Sequence, residues 1–410
     1  MASQEQAQPA PISKSRDPRA KAGEVPFSSN AVRLSGRQWA VVGVLVVALC
    51  QSIPLIWQRA ETFEPGLDYR IPCALSDDYW LYARYCQRAA GEDRILVIGD
   101  SVIWGEYVTP HQTLAHHLNE VAGQEQRFVN LGVNGTHPAA LAGLIEYYGR
   151  AIRGQTVILH YNPLWMSSKR HDLQTEKEFP FNHPKLVPQF APKIPCYKEP
   201  YGNRIGIVVE RYLPFRAWTN HLVAAYFDNT DLATWVRENP YSNPFARITF
   251  ELPEPDTALR HRQVPWTEQG IVRADFQWVE PSTSIQWLLF RRTVRTLLAR
   301  NNRLFVLVGP FNEHMIGEGS LGAYNTIKRT IETWLRDQGI PHYVPPQLPS
   351  NLYADASHPL GQGYALLAKQ ILEQDSCPPL WYNLNDEEYR HVVQVIVRLR
   401  RYHNDRRKKH

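Results

Sequence analysis

Four short segments hold side chains whose types suit acyl chemistry. Gly99-Asp100-Ser101 closes an apolar run, and Asp355 and His358 stand three residues apart in Asp-Ala-Ser-His-Pro. A serine hydroxyl is a poor nucleophile until a neighbouring base takes its proton. His358 is the candidate base for Ser101. Asp355 can lie beside the imidazole, hold its tautomer and stabilise the imidazolium. The oxyanion that forms on attack needs fixed donors. The candidates are the backbone N–H of Ser101, the N–H of Gly135 in Asn130-Leu-Gly-Val-Asn-Gly135, and the side-chain amide of Asn162. Gly132 is the fallback for Gly135. One such donor is worth about 2.7–4 kcal/mol of barrier. The chemistry is acyl transfer through an ester on Ser101, and it calls for no cofactor. No Cys-x-x-Cys pair marks a structural metal. His111, His116, His117 and His137 have no second ligand cluster beside them in the sequence and read as surface or packing histidines. Trp165, Trp218, Trp235, Trp266 and Trp278 read as core residues, with a sugar-stacking groove as the alternative.

These segments need a scaffold, and the flanking patterns supply one. Short apolar runs at residues 94–100, 127–132, 156–161, 303–310 and 341–345 read as buried parallel strands. Between and after them, residues 113–121, 138–152, 284–300, 324–337 and 361–373 carry apolar residues at helical spacing. Alternating strands and helices predict an α/β fold: a three-layer α/β/α sandwich around a five-stranded, mostly parallel sheet. In such sheets ligands bind outside the carboxyl ends of the strands. Ser101, Gly135, Asn162 and the Asp355–His358 pair all fall at such ends. The core is thus read as residues 94–162 plus 282–376. Residues 163–281, dense in Pro and aromatics, form a large insertion, read as a lid or substrate-binding subdomain because a structureless loop of that length is rare in a compact domain.

The ends of the 410-residue chain differ from its middle. Residues 1–37 are polar and aperiodic, as in a disordered tail. Residues 38–58 carry no charge, and a spanning helix needs about 20 such residues. Trp39 and Trp57 mark its ends. Lys14, Arg16, Arg19, Lys21, Arg33 and Arg37 precede it, which by the positive-inside rule puts the N-terminus in the cytoplasm and the body outside. A cleaved signal peptide and a buried helix are the competing readings. Residues 59–93 form a connector with a short helix near 77–88. Of five cysteines, Cys73, Cys86, Cys196 and Cys377 would then meet an oxidising compartment, with Cys73–Cys86 a plausible local staple. Residues 377–410 include a basic, amphipathic helical pattern from Arg390, suited either to an anionic membrane or polymer or to covering the domain. A body outside the cytoplasm excludes nucleic acid as the partner.

The catalytic segments resemble the SGNH (GDSL) hydrolase superfamily. ILVIGDSVIWGE resembles its first block, VNLGVNG its second, and DASHP its last. The third block, usually Gly-x-Asn-Asp, is matched only in part by His160-Tyr161-Asn162-Pro163, with Tyr161 for the glycine and Pro163 for the aspartate. The resemblance covers about residues 93–162 and 303–375. It implies a flavodoxin-like fold and a serine esterase or acyltransferase, with Ser101, Asp355 and His358 as the triad and Ser101, Gly135 and Asn162 as the oxyanion hole. An N-terminal anchor, an external domain and a long insertion look like proteins that move acyl groups on cell-envelope polymers. The implied substrate is an acylated glycan, polymer or lipid, and a membrane acyltransferase is a possible partner. The competing reading is a catalytically inactive envelope binding or assembly protein that keeps the fold.

Overall fold

In the computed structural model the described residues are 34–91, 94–124, 127–253 and 259–373. The basic segment read as a C-terminal helical pattern, Cys377 and most of the N-terminal tail lie outside them. The chain divides into two compact units, Met1–Cys50 and Gln51–His410.

Helix α1 (Gly36–Ala60) is 25 residues long and apolar enough to cross a membrane. Its side chains face outward in the first unit, with Val44 69% and Val47 61% exposed, which is the reverse of a core helix. Pro54 lies inside the helix and interrupts one backbone bond.

The second unit runs in this order: α2 (Tyr79–Ala89), β1 (Ile95–Ile98), α3 (Ser101–Trp104), α4 (Leu114–Ala122), β2 (Phe128–Asn130), α5 (Pro138–Gly143), β3 (Thr156–Tyr161), α6 (Tyr201–Glu210), α7 (Pro214–Tyr226), α8 (Leu232–Glu238), α9 (Ile285–Ala299), β4 (Arg303–Val308), α10 (Glu318–Asp337), β5 (His342–Tyr343) and α11 (Gly361–Leu372). The five strands form one sheet in the order β2-β1-β3-β4-β5, and every pairing is parallel. Side chains alternate between its faces. Leu96, Ile98, Val157, Leu159, Tyr161, Leu304, Val306 and Val308 pack with α2, α5, α9 and α10. Ile95, Val97, Ile158, Phe305 and Leu307 pack with α3, α4 and α11.

The helices start where side-chain caps allow. Ser284 Oγ accepts from Trp287 N–H at 3.0 Å to open α9, and Asp78 accepts from Leu81 N–H at 2.9 Å to open α2. Two helices depart from the periodicity. The pattern at 138–152 gives α5 only as far as Gly143 and continues as a π-turn, Leu144–Tyr148. At Gly143 a Cβ would lie 2.0 Å from the carbonyl oxygen of Leu186, so the insertion packs directly on that helix. In turn α10 begins at Glu318, before the apolar periodicity does.

The insertion is more than a cover. Leu173, Leu186, Val187, Ile194, Cys196 and Tyr197 join the main core, and α7 lies against α2. Cys86 and Cys196 are buried thiols outside any disulfide, so the Cys73–Cys86 staple is not made. Burial among apolar groups pushes the Cys86 thiol up to about 12.

Candidate active site

Residue types that cannot be enlarged shape the end of β1. At Gly99 a Cβ would fall 2.4 Å from Ile103 Cγ1 and 2.8 Å from His160 Cβ. The chain turns there and Asp100 caps α3, its Oδ1 accepting from Val102 N–H at 3.0 Å. Ser101 is the first residue of that single turn, so its N–H has no intrahelical acceptor. The turn ends at Gly105, whose φ of +91° is left-handed. Arg70 donates to the carbonyls of Trp104 and Gly105, and Asn130 Nδ2 donates to that of Ile103, satisfying the turn's free acceptors.

The other two candidates come from the turn before α11. Asp355 Oδ1 accepts from the N–H groups of Ser357 and His358, both at 2.9 Å, and Ala354 N–H donates to the His358 carbonyl at 2.8 Å. Buried Asn312, just past β4, donates its side-chain amide to the Asp355 carbonyl. Tyr364 on α11 donates to the Val102 carbonyl at 2.6 Å, tying this turn to α3. Between them, His358 Nε2 stands 2.8 Å from Ser101 Oγ, and its Nδ1 stands 2.8 Å from each carboxylate oxygen of Asp355. The three side chains singled out by spacing therefore meet, in the order hydroxyl, imidazole, carboxylate.

The electrostatics match that order. Burial works against an imidazolium at His358, but the adjacent Asp355 charge and hydrogen bond, with Asp100 and Glu106 farther off, raise its pKa above the ordinary imidazole value. Burial works against the Asp355 carboxylate too. The His358 charge and three hydrogen bonds outweigh it and hold the carboxyl at about 2. Asp355 thus fixes the proton on Nδ1 and leaves the Nε2 lone pair facing Ser101.

Asn162 and Gly135 occupy more crowded positions. Asn162, at the end of β3, donates Nδ2–H to Asp100 Oδ2 at 2.9 Å, while its Oδ1 accepts from Leu164 N–H. An amide nitrogen carries two hydrogens, so one N–H remains for an oxyanion. The departures at 161 and 163 have structural reasons. Tyr161 is fully buried in the main core against Phe290, and Pro163 opens a 3-10 turn where its missing N–H is not needed. Gly135 has φ +71°, and Asn182 of the insertion fills the space a Cβ would take. Gly132 is a packing glycine: a Cβ there would lie 2.4 Å from the backbone nitrogen of Trp104.

Several residues at the site left little trace in the sequence. Asp100 accepts from Trp165 Nε1 at 2.9 Å as well as from Asn162, and His160 Nδ1 stands 3.2 Å away. Burial would raise its pKa; the His160 charge and these donors hold it at about 2. Of the five tryptophans, Trp165 alone reaches the site this way. Trp235 and Trp266 are buried in separate clusters, Trp218 packs on Trp57, and Trp278 on Phe311. The Tyr107 ring lies 5.4 Å from that of His358, and burial together with the Asp355 charge raises the pKa of its hydroxyl. His261 of the insertion stacks near Tyr107 and stands 2.8 Å from Glu106. A carboxylate–imidazole contact is common, so spacing alone could not mark these. The histidines read as surface or packing residues also meet partners across the fold. His111 and His116 gather at Asp68, and His116 and His117 lie near Glu120, so two groups of potential metal ligands form around residues read as isolated. His137 instead caps α5 and bonds Gln286.

Ser101 follows β1 and Asn162 follows β3, the neighbouring strands between which the chain reverses its direction of travel across the sheet, so the triad stands at a topological switch point. Neither the family models nor the curated proteins compared with this chain yield a match to it.

Proposed function

We propose that this chain is an SGNH-type serine esterase or O-acyltransferase of the cell envelope. The observation that carries the reading is the Ser101–His358–Asp355 chain of 2.8 Å contacts at one sheet edge. The strand order 2-1-3-4-5 supports it, since that is the order of flavodoxin-like, three-layer α/β/α folds. Ser101 Oγ attacks the acyl carbonyl carbon as His358 Nε2 takes the hydroxyl proton. The oxyanion is held by the N–H groups of Ser101 and Gly135 and the remaining amide N–H of Asn162. Collapse breaks the ester C–O bond, His358 protonates the departing alkoxide, and the acyl group stays on Ser101. Water then completes hydrolysis, or a sugar hydroxyl completes transfer. Helix α1 would anchor the domain, with the basic flank before it in the cytoplasm. The substrate class is an acylated envelope glycan, polymer or lipid, and a membrane acyltransferase would supply the acyl group where transfer operates.

A fluorophosphonate probe tests the reading. Wild-type protein is expected to label covalently and Ser101→Ala to stay unlabelled. Wild type that stays inert where a control esterase reacts would favour the binding-module alternative, for which the Asn162 amide turned to Asp100 is the one supporting contact.

The pH profile is a second check. Only neutral His358 accepts the serine proton, and its raised pKa places the acid limb of kcat/KM above the ordinary imidazole value of about 6.5. Asp355→Asn removes the adjacent charge, so the limb should move to lower pH while the plateau falls by about 10⁴-fold. An acid limb that does not move in Asp355→Asn would remove His358 from the role of base.

A further inference from the structure

Three side chains from separate segments converge at Asp68. Asp68 lies in the connector and its backbone is left-handed, φ +59°. His111 lies in the 3-10 turn Pro110–Gln112 and His116 on the first turn of α4. Both Nδ1 atoms stand 3.0 Å from the same oxygen, Asp68 Oδ2, and the three donor atoms all lie within 4.8 Å of one another. Both contacts are of hydrogen-bond length, and they bring two imidazole nitrogens and one carboxylate oxygen, all ligand types a transition ion takes, to one point. Bonds of about 2.0–2.1 Å in a tetrahedral zinc site put neighbouring ligand atoms about 3.3 Å apart, and the two nitrogen–oxygen pairs stand at 3.0 Å.

We propose that Asp68, His111 and His116 form a site for one zinc-like divalent transition ion. Two imidazoles and one carboxylate suit zinc and exclude a preference for magnesium or calcium, which favour all-oxygen sites. The Asp68 carboxylate is nearly buried while the His111 ring is 73% exposed, so an ion enters from solvent and keeps a water as its fourth ligand. His116, His117 and Glu120 form the neighbouring group. It shares His116, and its other two members come from the same helix, so an ion there would join nothing that α4 does not already join. An ion at Asp68 would cross-link the connector to the segment carrying Glu106 and Tyr107 beside His358. Arg70, two residues from Asp68, already ties the same connector to Trp104 and Gly105. The role is a clamp on one wall of the triad, and the ion takes no part in bond making. The proposal is independent of the esterase reading.

The test uses the full chain in detergent, without a polyhistidine tag, stripped with chelator and titrated with zinc by calorimetry and with Co²⁺ by visible absorption. One ion per chain is expected, with the absorption of tetrahedral Co²⁺ and a higher Tm when zinc is present. Loss of even an outer-sphere partner costs about 10–100-fold in metal affinity, so Asp68→Ala, His111→Ala and His116→Ala should each weaken binding by at least about tenfold. His117→Ala should leave it within about threefold. His111 is exposed, so His111→Ala keeps the fold and decides the matter even where Asp68→Ala does not accumulate. Absence of saturable binding, binding undiminished in His111→Ala, or binding lost only in His117→Ala would overturn the proposal.

Discussion

His358→Ala is expected to lower kcat/KM on an acetyl ester by about 10⁴–10⁶-fold, and Ser101→Ala by a similar factor, with the double variant little worse than either. The non-additivity follows from geometry. The hydroxyl and the imidazole share one proton across 2.8 Å, so removing either partner removes the whole transfer. Substrate binding should survive, because the candidate oxyanion donors at Ser101 N–H, Gly135 and Asn162 stay in place. The measurement is steady-state hydrolysis of a small chromogenic ester, with the rate in the absence of protein as background. A loss below tenfold in His358→Ala would show that another group takes the proton. Fully additive losses would show that the two side chains act apart.

The second large effect is on stability. Glu61, Asp78, Arg84 and His221 are buried together where the end of α1 meets α2 and α7. Glu61 forms an ion pair with Arg84. Its Oε1 also stands 2.8 Å from His221 Nε2, accepts from Tyr226 Oη at 2.6 Å and accepts from Trp57 Nε1 at 3.1 Å. His221 Nδ1 stands 2.6 Å from Asp78 Oδ2. Two anions and two cations balance, and each depends on the others for solvation. Glu61→Ala leaves Arg84 and His221 short of an anion in a dry site, a change worth about 3–5 kcal/mol. Chemical denaturation of the detergent-solubilised chain reads it directly. Lys185→Ala provides the contrast: its pair with Glu210 is half exposed and should cost about 0–1 kcal/mol. Equal losses in the two variants would mean that the buried network adds nothing beyond a surface pair.

The same network sets a pH dependence. Burial alone would lower the His221 pKa, but Asp78 and Glu61 raise it to about 9, above an unfolded value of about 6.5. A group raised on folding stabilises fully below its unfolded pKa, and that contribution is lost as pH rises through the folded value. Stability should therefore fall between about pH 6.5 and 9, and this slope should flatten in His221→Gln.

Much of the framework was legible one segment at a time. The five strands and the helices of the sheet layers depend on side chains within a few residues of each other, and sequence spacing records such neighbours. Gly99-Asp100-Ser101 and Asp355–His358 were legible for the same reason: each is a local turn whose residue types already suggest a nucleophile or a base. Short strands separated by helices predicted a mostly parallel sheet, and every observed pairing is parallel. The interruption of α5 at Gly143 was not legible, because its cause is the Leu186 carbonyl of a distant segment.

By itself, the sequence determined which residue types stand at the strand ends and that an uncharged run precedes the domain. Only the tertiary structure decided what those residues touch. It closed the 257 positions between Ser101 and His358 to 2.8 Å. It turned the Asn162 amide toward Asp100, put Tyr107 beside His358, and sent part of the insertion into the main core. It also drew His111 and His116 to Asp68. The reason is range. Periodicity, caps and turns act between near neighbours in the chain, whereas a site is assembled by strand order and helix packing, which bring together segments whose spacing in sequence carries no record of the contact.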